Sequence, residues 1–226
     1  AGAEVWHCEV GEACDAQGHC TSLCTSHAWV GCHQGDTWWI DSCNVAEVMK
    51  SSCGGLGCQD ATCLAAPPTG LRINEVLYDT LGDDREAFVE LIGPGGASLD
   101  GFVLQGINGN GGWTYNVLEL SGTMPADGVF VIMQPSATAA WLAQADLQHD
   151  AANYQNGPDS VQLLYGGVVK DALAYGDFSD GSIAAGEGNP AVDVPPERSL
   201  SRDASGSDTD DNASDFADQQ PSPGTR

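Results

Sequence analysis

The stretch Ser160-Val161-Gln162-Leu163-Leu164-Tyr165-Gly166-Gly167-Val168-Val169-Lys170-Asp171-Ala172-Leu173-Ala174-Tyr175 reads as two β-strands joined by a tight turn. Val161, Leu163 and Tyr165 alternate with polar or mixed positions, the two-residue period of a strand with one buried face. Gly166-Gly167 offers two residues that tolerate positive φ, which the two-residue turns of hairpins require.

Working outward, further strands are predicted at 71–78, 87–92, 99–107, 114–120 and 128–133, separated by Gly, Asp and Pro. Val129-Phe130-Val131-Ile132-Met133 is apolar at every position, as expected for a strand covered on both sides. Residues 137–145 read as one short helix. About seven short strands with turn signals between them predict a mainly β fold, a β-sandwich. From Asp203 to Arg226 the chain is rich in Ser, Asp, Gly and Pro and reads mostly as loop, with an edge strand near 198–202.

The other organising feature is cysteine. All nine lie between Cys8 and Cys63. A segment this small cannot bury enough apolar surface to fold without staples, so residues 1–66 are predicted to form a disulfide-rich module. Ala65-Ala66-Pro67-Pro68-Thr69-Gly70 marks the boundary, with 67–70 as linker and 71–226 as the β-sandwich with its acidic C-terminal loop segment. Cys8, Cys14, Cys20 and Cys24 form one spacing group, and Cys32, Cys43, Cys53, Cys58 and Cys63 a second. Nine is odd, so eight are expected to pair, and sequence leaves the connectivity open. The remaining cysteine is either a buried thiol, a residue whose partner lies on a missing segment, or a bridge between subunits. Disulfides persist in oxidising compartments, which predicts a secreted or surface-displayed protein. Ala1-Gly2-Ala3, with neither Met nor an apolar signal core, is the kind of start that signal removal leaves.

Several motifs resemble the bacterial lamin-tail domain. They are Ile73-Asn74-Glu75-Val76, Phe88-Val89-Glu90-Leu91 followed by Gly93-Pro94-Gly95, Leu99-Asp100-Gly101-Phe102-Val103-Leu104, Asp159-Ser160-Val161-Gln162-Leu163, and Arg198-Ser199-Leu200-Ser201-Arg202-Asp203 with Asp215-Phe216 and Pro221-Ser222-Pro223-Gly224 after it. The resemblance spans about residues 70–226. It implies an immunoglobulin-like β-sandwich without enzymatic activity, an accessory or surface module often joined to secreted hydrolases. Residues 1–66 resemble short cysteine-rich modules of secreted bacterial proteins, which implies no activity.

Charge excludes one class of partner. With 32 acidic and 7 basic residues the formal net charge is −25. Phosphate backbones are bound by clustered Lys and Arg, and no cluster occurs, so nucleic acid is not an expected partner. No apolar run approaches the roughly 18 residues of a membrane-spanning helix.

Two acidic groups are candidate calcium ligands. Asp208, Asp210, Asn212 and Asp215 place oxygens at alternate positions of a loop, and Asp79, Asp83, Asp84 and Glu86 cluster between the first two strands. Calcium takes six to eight oxygens. The first is not an EF-hand: Ala213 and Gln219 stand where Gly and Glu would be needed. Solvated loops with Asp and Asn capping turns account for the same residues. The cofactor expectation is none required, with calcium as the candidate. Cys20, Cys24, His27, Cys32 and His33 carry zinc-type ligands at a spacing that matches no common zinc module.

Catalytic signals are sparse. Four of the five histidines lie in the cysteine-rich part, no Gly-x-Ser-x-Gly or His-Glu-x-x-His occurs, and the one carboxylate pair, Glu75 and Glu90, suits a structural role. Trp38 and Trp39 are candidate binding residues, because adjacent residues of a strand point to opposite faces and a module with little core cannot hide both. The expected function is therefore a non-enzymatic structural or adhesive protein, a surface component or subunit of an extracellular filament or matrix whose partner is itself or another surface protein. The alternative is a glycan- or protein-binding targeting module of a secreted hydrolase.

Overall fold

A computed structural model describes residues 12–14, 20–54, 56–179 and 181–225, with the backbone alone for 12–14 and 20–22. The fold is mainly β. The chain divides into two compact units, residues 1–66 and 67–226.

The first unit begins with β1 (Glu12–Cys14) and β2 (Cys20–Ser22), an antiparallel pair in which Cys14 lies opposite Cys20. A three-stranded antiparallel sheet follows, made of β3 (Trp29–His33), β4 (Asp36–Ile40) and β5 (Ala46–Ser51). Two short strands, β6 (Cys58–Gln59) and β7 (Thr62–Cys63), close the unit. Among its described residues the buried apolar side chains are Ile40 and Cys53 alone, far too small a core to hold a fold. Disulfides take its place: Cys24–Cys43, Cys32–Cys58 and Cys53–Cys63, at separations of 19, 26 and 10 residues. Closing loops of this size stabilises the folded state by roughly 3 kcal/mol each. Each bridge starts inside the loop closed by the one before, so the three overlap into a continuous ladder. No described cysteine is free. Cys8 lies outside the described residues, as do the side chains of Cys14 and Cys20.

The second unit holds two sheets. One has four strands in the order β11 (Thr114–Glu119), β10 (Phe102–Asn108), β14 (Asp159–Tyr165), β15 (Val168–Tyr175). The other has six, in the order β13 (Leu147–Gln148), β12 (Val129–Met133), β9 (Phe88–Ile92), β8 (Arg72–Leu77), β16 (Ser199–Ser201), β17 (Ala217–Gln219). All pairings are antiparallel except β12 with β13. The quoted hairpin forms with Tyr165 opposite Val168, and Gly166 and Gly167 take φ of 58° and 79°.

Register sorts the six-stranded sheet into two buried faces. Ile73 pairs with Leu91 and Val76 with Val89, placing these four on one face. Tyr78, just past β8, stacks on Tyr175 of β15 with ring centroids 4.2 Å apart. On the opposite face Leu77, Phe88, Ile92, Val129, Val131 and Met133 cluster with Ala137, and Trp141, Leu142 and Ala145 cover them. β12 is apolar throughout because both its faces are covered.

Three expectations need correction. The helix predicted at 137–145 is a single turn, α1 (Ala139–Leu142), which lacks a side-chain cap and leads directly into β13. The strand near 198–202 is β16, and it is interior: β17 pairs along its outer side, Ser199 opposite Gln219. The tail is accordingly more ordered than a loop, carrying β17 and a second helical turn, α2 (Asn212–Asp215).

Candidate functional site

In the first unit β4 sends Trp38 and Trp39 to opposite faces of the small sheet, each half-buried. Trp39 lies in register between Val30 and Val48. The His27 ring meets it edge-on at 5.3 Å, and Lys50 Nζ lies 5.0 Å from its centroid. Glu47 accepts the His27 backbone N–H at 2.6 Å, which orders this rim. Trp38 meets His33 edge-on at 5.2 Å and is in register with Gly31 and Met49. Gly31 has a steric role, since a Cβ there would come within 2.6 Å of the Trp29 ring. The ring therefore lies against the strand, yet Trp29 remains 47% exposed, and Val48 and Met49 are exposed on β5, at the other edge of the sheet. His27 and Lys50 lie against Trp39 on the opposite face. Lys50 was not singled out from sequence.

The second unit concentrates its buried charge on Arg202. The guanidinium is fully enclosed. It donates to Asp171 Oδ1 at 2.9 Å, to the Ile73 and Ser207 carbonyls at 2.9 and 2.7 Å, and to Asp208 at 3.3 Å. Asp215 lies 3.2 Å away, and the Phe216 ring centroid is 4.4 Å from the guanidinium carbon. Asp171 Oδ2 also accepts the Ile73 N–H at 2.5 Å. Glu187 joins this group, and single oxygens of Asp171, Glu187 and Asp208 lie within 4.8 Å of one another. Burial and then the neighbouring Asp171 push the Glu187 carboxyl up to about 8. Among the described residues of the second unit this trio, which takes only Asp208 from the predicted loops, is where carboxylate oxygens converge closely enough to share a cation. Arg202 already supplies a positive charge there.

The predicted 208–215 group is divided by the fold. Asp208 goes to Arg202, and Asp210 is exposed with φ of 56°. Asn212 is fully buried: its Oδ1 accepts from the backbone N–H groups of Ala174 and Glu187, and its Nδ2 donates to the Ala172 carbonyl. Asp215 accepts from the backbone and hydroxyl of Thr209. In the 79–86 group Asp84 caps its own loop by accepting from Thr80 N–H, Asp83 pairs with Arg85 on the surface, and Glu86 is half-buried. Burial and then Asp84, Asp193 and Glu197 raise Asp79, so its acidic neighbours come largely from across the sequence.

Glu75 and Glu90 come together as direct cross-strand partners on β8 and β9. Both are fully buried. Glu75 accepts from Ser199 Oγ at 2.6 Å and from Ser222 N–H and Oγ at 2.9 and 3.0 Å. Glu90 accepts from Asn74 Nδ2 at 2.7 Å and Gly224 N–H at 2.8 Å. Burial pushes Glu90 up to about 7 and raises Glu75 as well. A further buried carboxylate, Asp159, accepts from Tyr115 Oη and from the Gly109 N–H, and burial raises it to about 6.

Zinc-type chemistry finds no thiolate at Cys24 or Cys32, because both are in disulfides. The grouping of Cys24, Asp41 and Cys43 contains one of those bridges. Among the described residues no helix is long and apolar enough to cross a membrane.

Neither a family model, nor a curated protein, nor a solved structure matches the chain.

Proposed function

We propose that this chain is a secreted, non-enzymatic structural or adhesive module, a component of a surface or of an extracellular assembly, with its second unit a lamin-tail-like sandwich. One observation carries the reading. Each buried carboxylate of the second unit is committed to holding the chain's own segments: Glu75 and Glu90 to Ser222 and Gly224, Asp159 to Tyr115, and Asp171 and Asp215 to Arg202. A general acid or base must reach the proton it transfers, and these groups face backbone and side chains instead. Three disulfides in the first unit support an oxidising, extracellular setting. Open strand edges at β11 and β17 supply unpaired backbone groups for contact between copies.

The second reading, a targeting module that binds glycan or protein, is favoured by the half-exposed Trp29 and by the exposed Val48 and Met49 of the same small sheet. Light scattering and electron microscopy of native, non-reduced material across salt concentrations separate the two. Like-charged subunits repel, so an assembly subunit should grow into large particles as salt rises. A strict monomer under all conditions that also binds a polysaccharide would transfer the conclusion to the targeting module.

A further inference from the structure

The backbone of residues 221–225 crosses Glu75 and Glu90 as a strap. Its hold is polar: Ser222 donates twice to Glu75 and Gly224 once to Glu90. Ser222, Gly224 and Thr225 are exposed, and Pro223 is the buried residue of the segment. Open space flanks it on both sides. One pocket of about 290 Å³ is lined by Asn74, Arg202 and Gln219 with Ser222, and another of about 350 Å³ by Asp127, Gln144 and Asp146 with Gly224. The strap is thus held by its carboxylate partners with little packing alongside.

We propose that residues 221–225 form a proton-controlled strap, closed over the Glu75–Glu90 pair while the pair holds a proton and released when both glutamates are charged. Two carboxylates directly opposite on adjacent strands stand roughly 4.5–5.5 Å apart at Cβ, where like charges oppose each other. The surroundings offer no relief. The charged groups acting on Glu90 are Glu75 from β8 and Asp127 from the turn before β12. β16 contributes the Ser199 hydroxyl, and the strap contributes amides and a hydroxyl. Asp146 lines the pocket beyond Gly224, and it accepts from Val131 N–H. Arg202 lies past Asn74 and is engaged with Asp171, Asp208 and Asp215. One proton is the remaining way to lower the charge.

Asn74 accommodates either state. Its Nδ2 donates to Glu90 Oε1, while its Oδ1 is buried with no hydrogen-bond partner. A half-turn of the amide presents that oxygen to a protonated Glu90 instead. The raised Glu90 fits the same picture: burial raises it most, Glu75 and Asp127 add to that, and the Gly224 N–H and the Asn74 amide draw it only part of the way back. With the strap closed the carboxyl stands near 7. Opening admits water to it and favours its charged form, so closure is strongest at low pH and weakens as pH climbs to the closed value.

Hydrogen exchange read at the Ser222 and Gly224 amides tests this, with rates corrected for intrinsic base catalysis. Protection in the parent chain should fall by about tenfold or more between about pH 5 and pH 7.5, since each unit of pKa difference is worth a factor of ten. Glu90→Gln keeps an acceptor for Gly224 and carries no charge, so its strap should stay protected across the range. Asp127→Asn removes one like charge and lowers the closed-strap value of Glu90, so the loss of protection should be smaller and complete at lower pH than in the parent. A flat profile in the parent overturns the proposal, and so does a Glu90→Gln profile that keeps the parent's pH dependence. Should Glu90→Gln fail to fold, a profile in Asp127→Asn identical to the parent's overturns it as well.

Discussion

Arg202 and Asp171 meet at 2.9 Å as an enclosed ion pair that ties the two sheets of the second unit together, since Arg202 follows β16 of one sheet and Asp171 belongs to β15 of the other. Breaking a buried pair by removing one partner leaves a charge with no compensation. Arg202→Met and Asp171→Asn should each destabilise the second unit by about 3–5 kcal/mol. Replacing both together should cost clearly less than the two single losses combined, because the second change removes the orphaned charge. Urea unfolding of the four chains checks this, and strictly additive losses would refute it.

Acid should stabilise the second unit over the range in which most proteins change little. Asp159, Glu90 and Glu187 hold their protons up to about 6, 7 and 8 in the folded state, against 3.8, 4.5 and 4.5 as their ordinary values. Folded chains therefore bind more protons than unfolded ones across this window, and stability falls as pH rises through it. The urea midpoint should be higher at about pH 5 than at about pH 8. A midpoint that climbs with pH would contradict the raised carboxyls.

Peptide mapping under non-reducing conditions should recover Cys24–Cys43, Cys32–Cys58 and Cys53–Cys63. Those bridges use six of the nine cysteines, so the odd one falls among Cys8, Cys14 and Cys20. Reduction should unfold the first unit and leave the second, which has no cysteine, with an unchanged melting transition. Any of the six linked to a different partner would refute the pairing.

Trp29→Ala should leave the stability of the first unit nearly unchanged, within about 1 kcal/mol, because the ring is half in solvent and the bridges carry the fold. If this surface makes the contact between copies or with a ligand, the same change should weaken that association at least tenfold. Gly31→Val should disturb the surface more, since a Cβ at 31 collides with the Trp29 ring. Tryptophan fluorescence and light scattering on both variants distinguish the two effects.

The strands were legible where side-chain alternation and glycine turns coincide, as in the Val161–Tyr175 hairpin. β17 was not, because Ala217-Asp218-Gln219 is exposed at every position and carries no alternation. Without it β16 looks like an edge. The acidic loops mislead for a related reason. Asp208, Asp210, Asn212 and Asp215 form a regular pattern along the chain, yet a single turn of helix carries Asn212 and Asp215 inward to serve backbone and hydroxyl groups. The Arg202 centre draws on residues from 73 to 216, and no spacing rule connects them. Glu75 and Glu90 were legible as a pair, but their partners, Ser222 and Gly224, could be found only in the folded chain.

The overlapping bridges of the first unit have a mechanical meaning. A chain pulled from its ends normally pays out about 3.3–3.6 Å for every residue that unfolds. Between Cys24 and Cys63 the shortest covalent path runs through the Cys24–Cys43 bridge, along the 10 residues from Cys43 to Cys53 and through the Cys53–Cys63 bridge, so those 10 residues set the limit of extension. The second unit has no such shortcut and would release its full contour. Under load the molecule pairs a nearly inextensible link with a long-travel shock absorber.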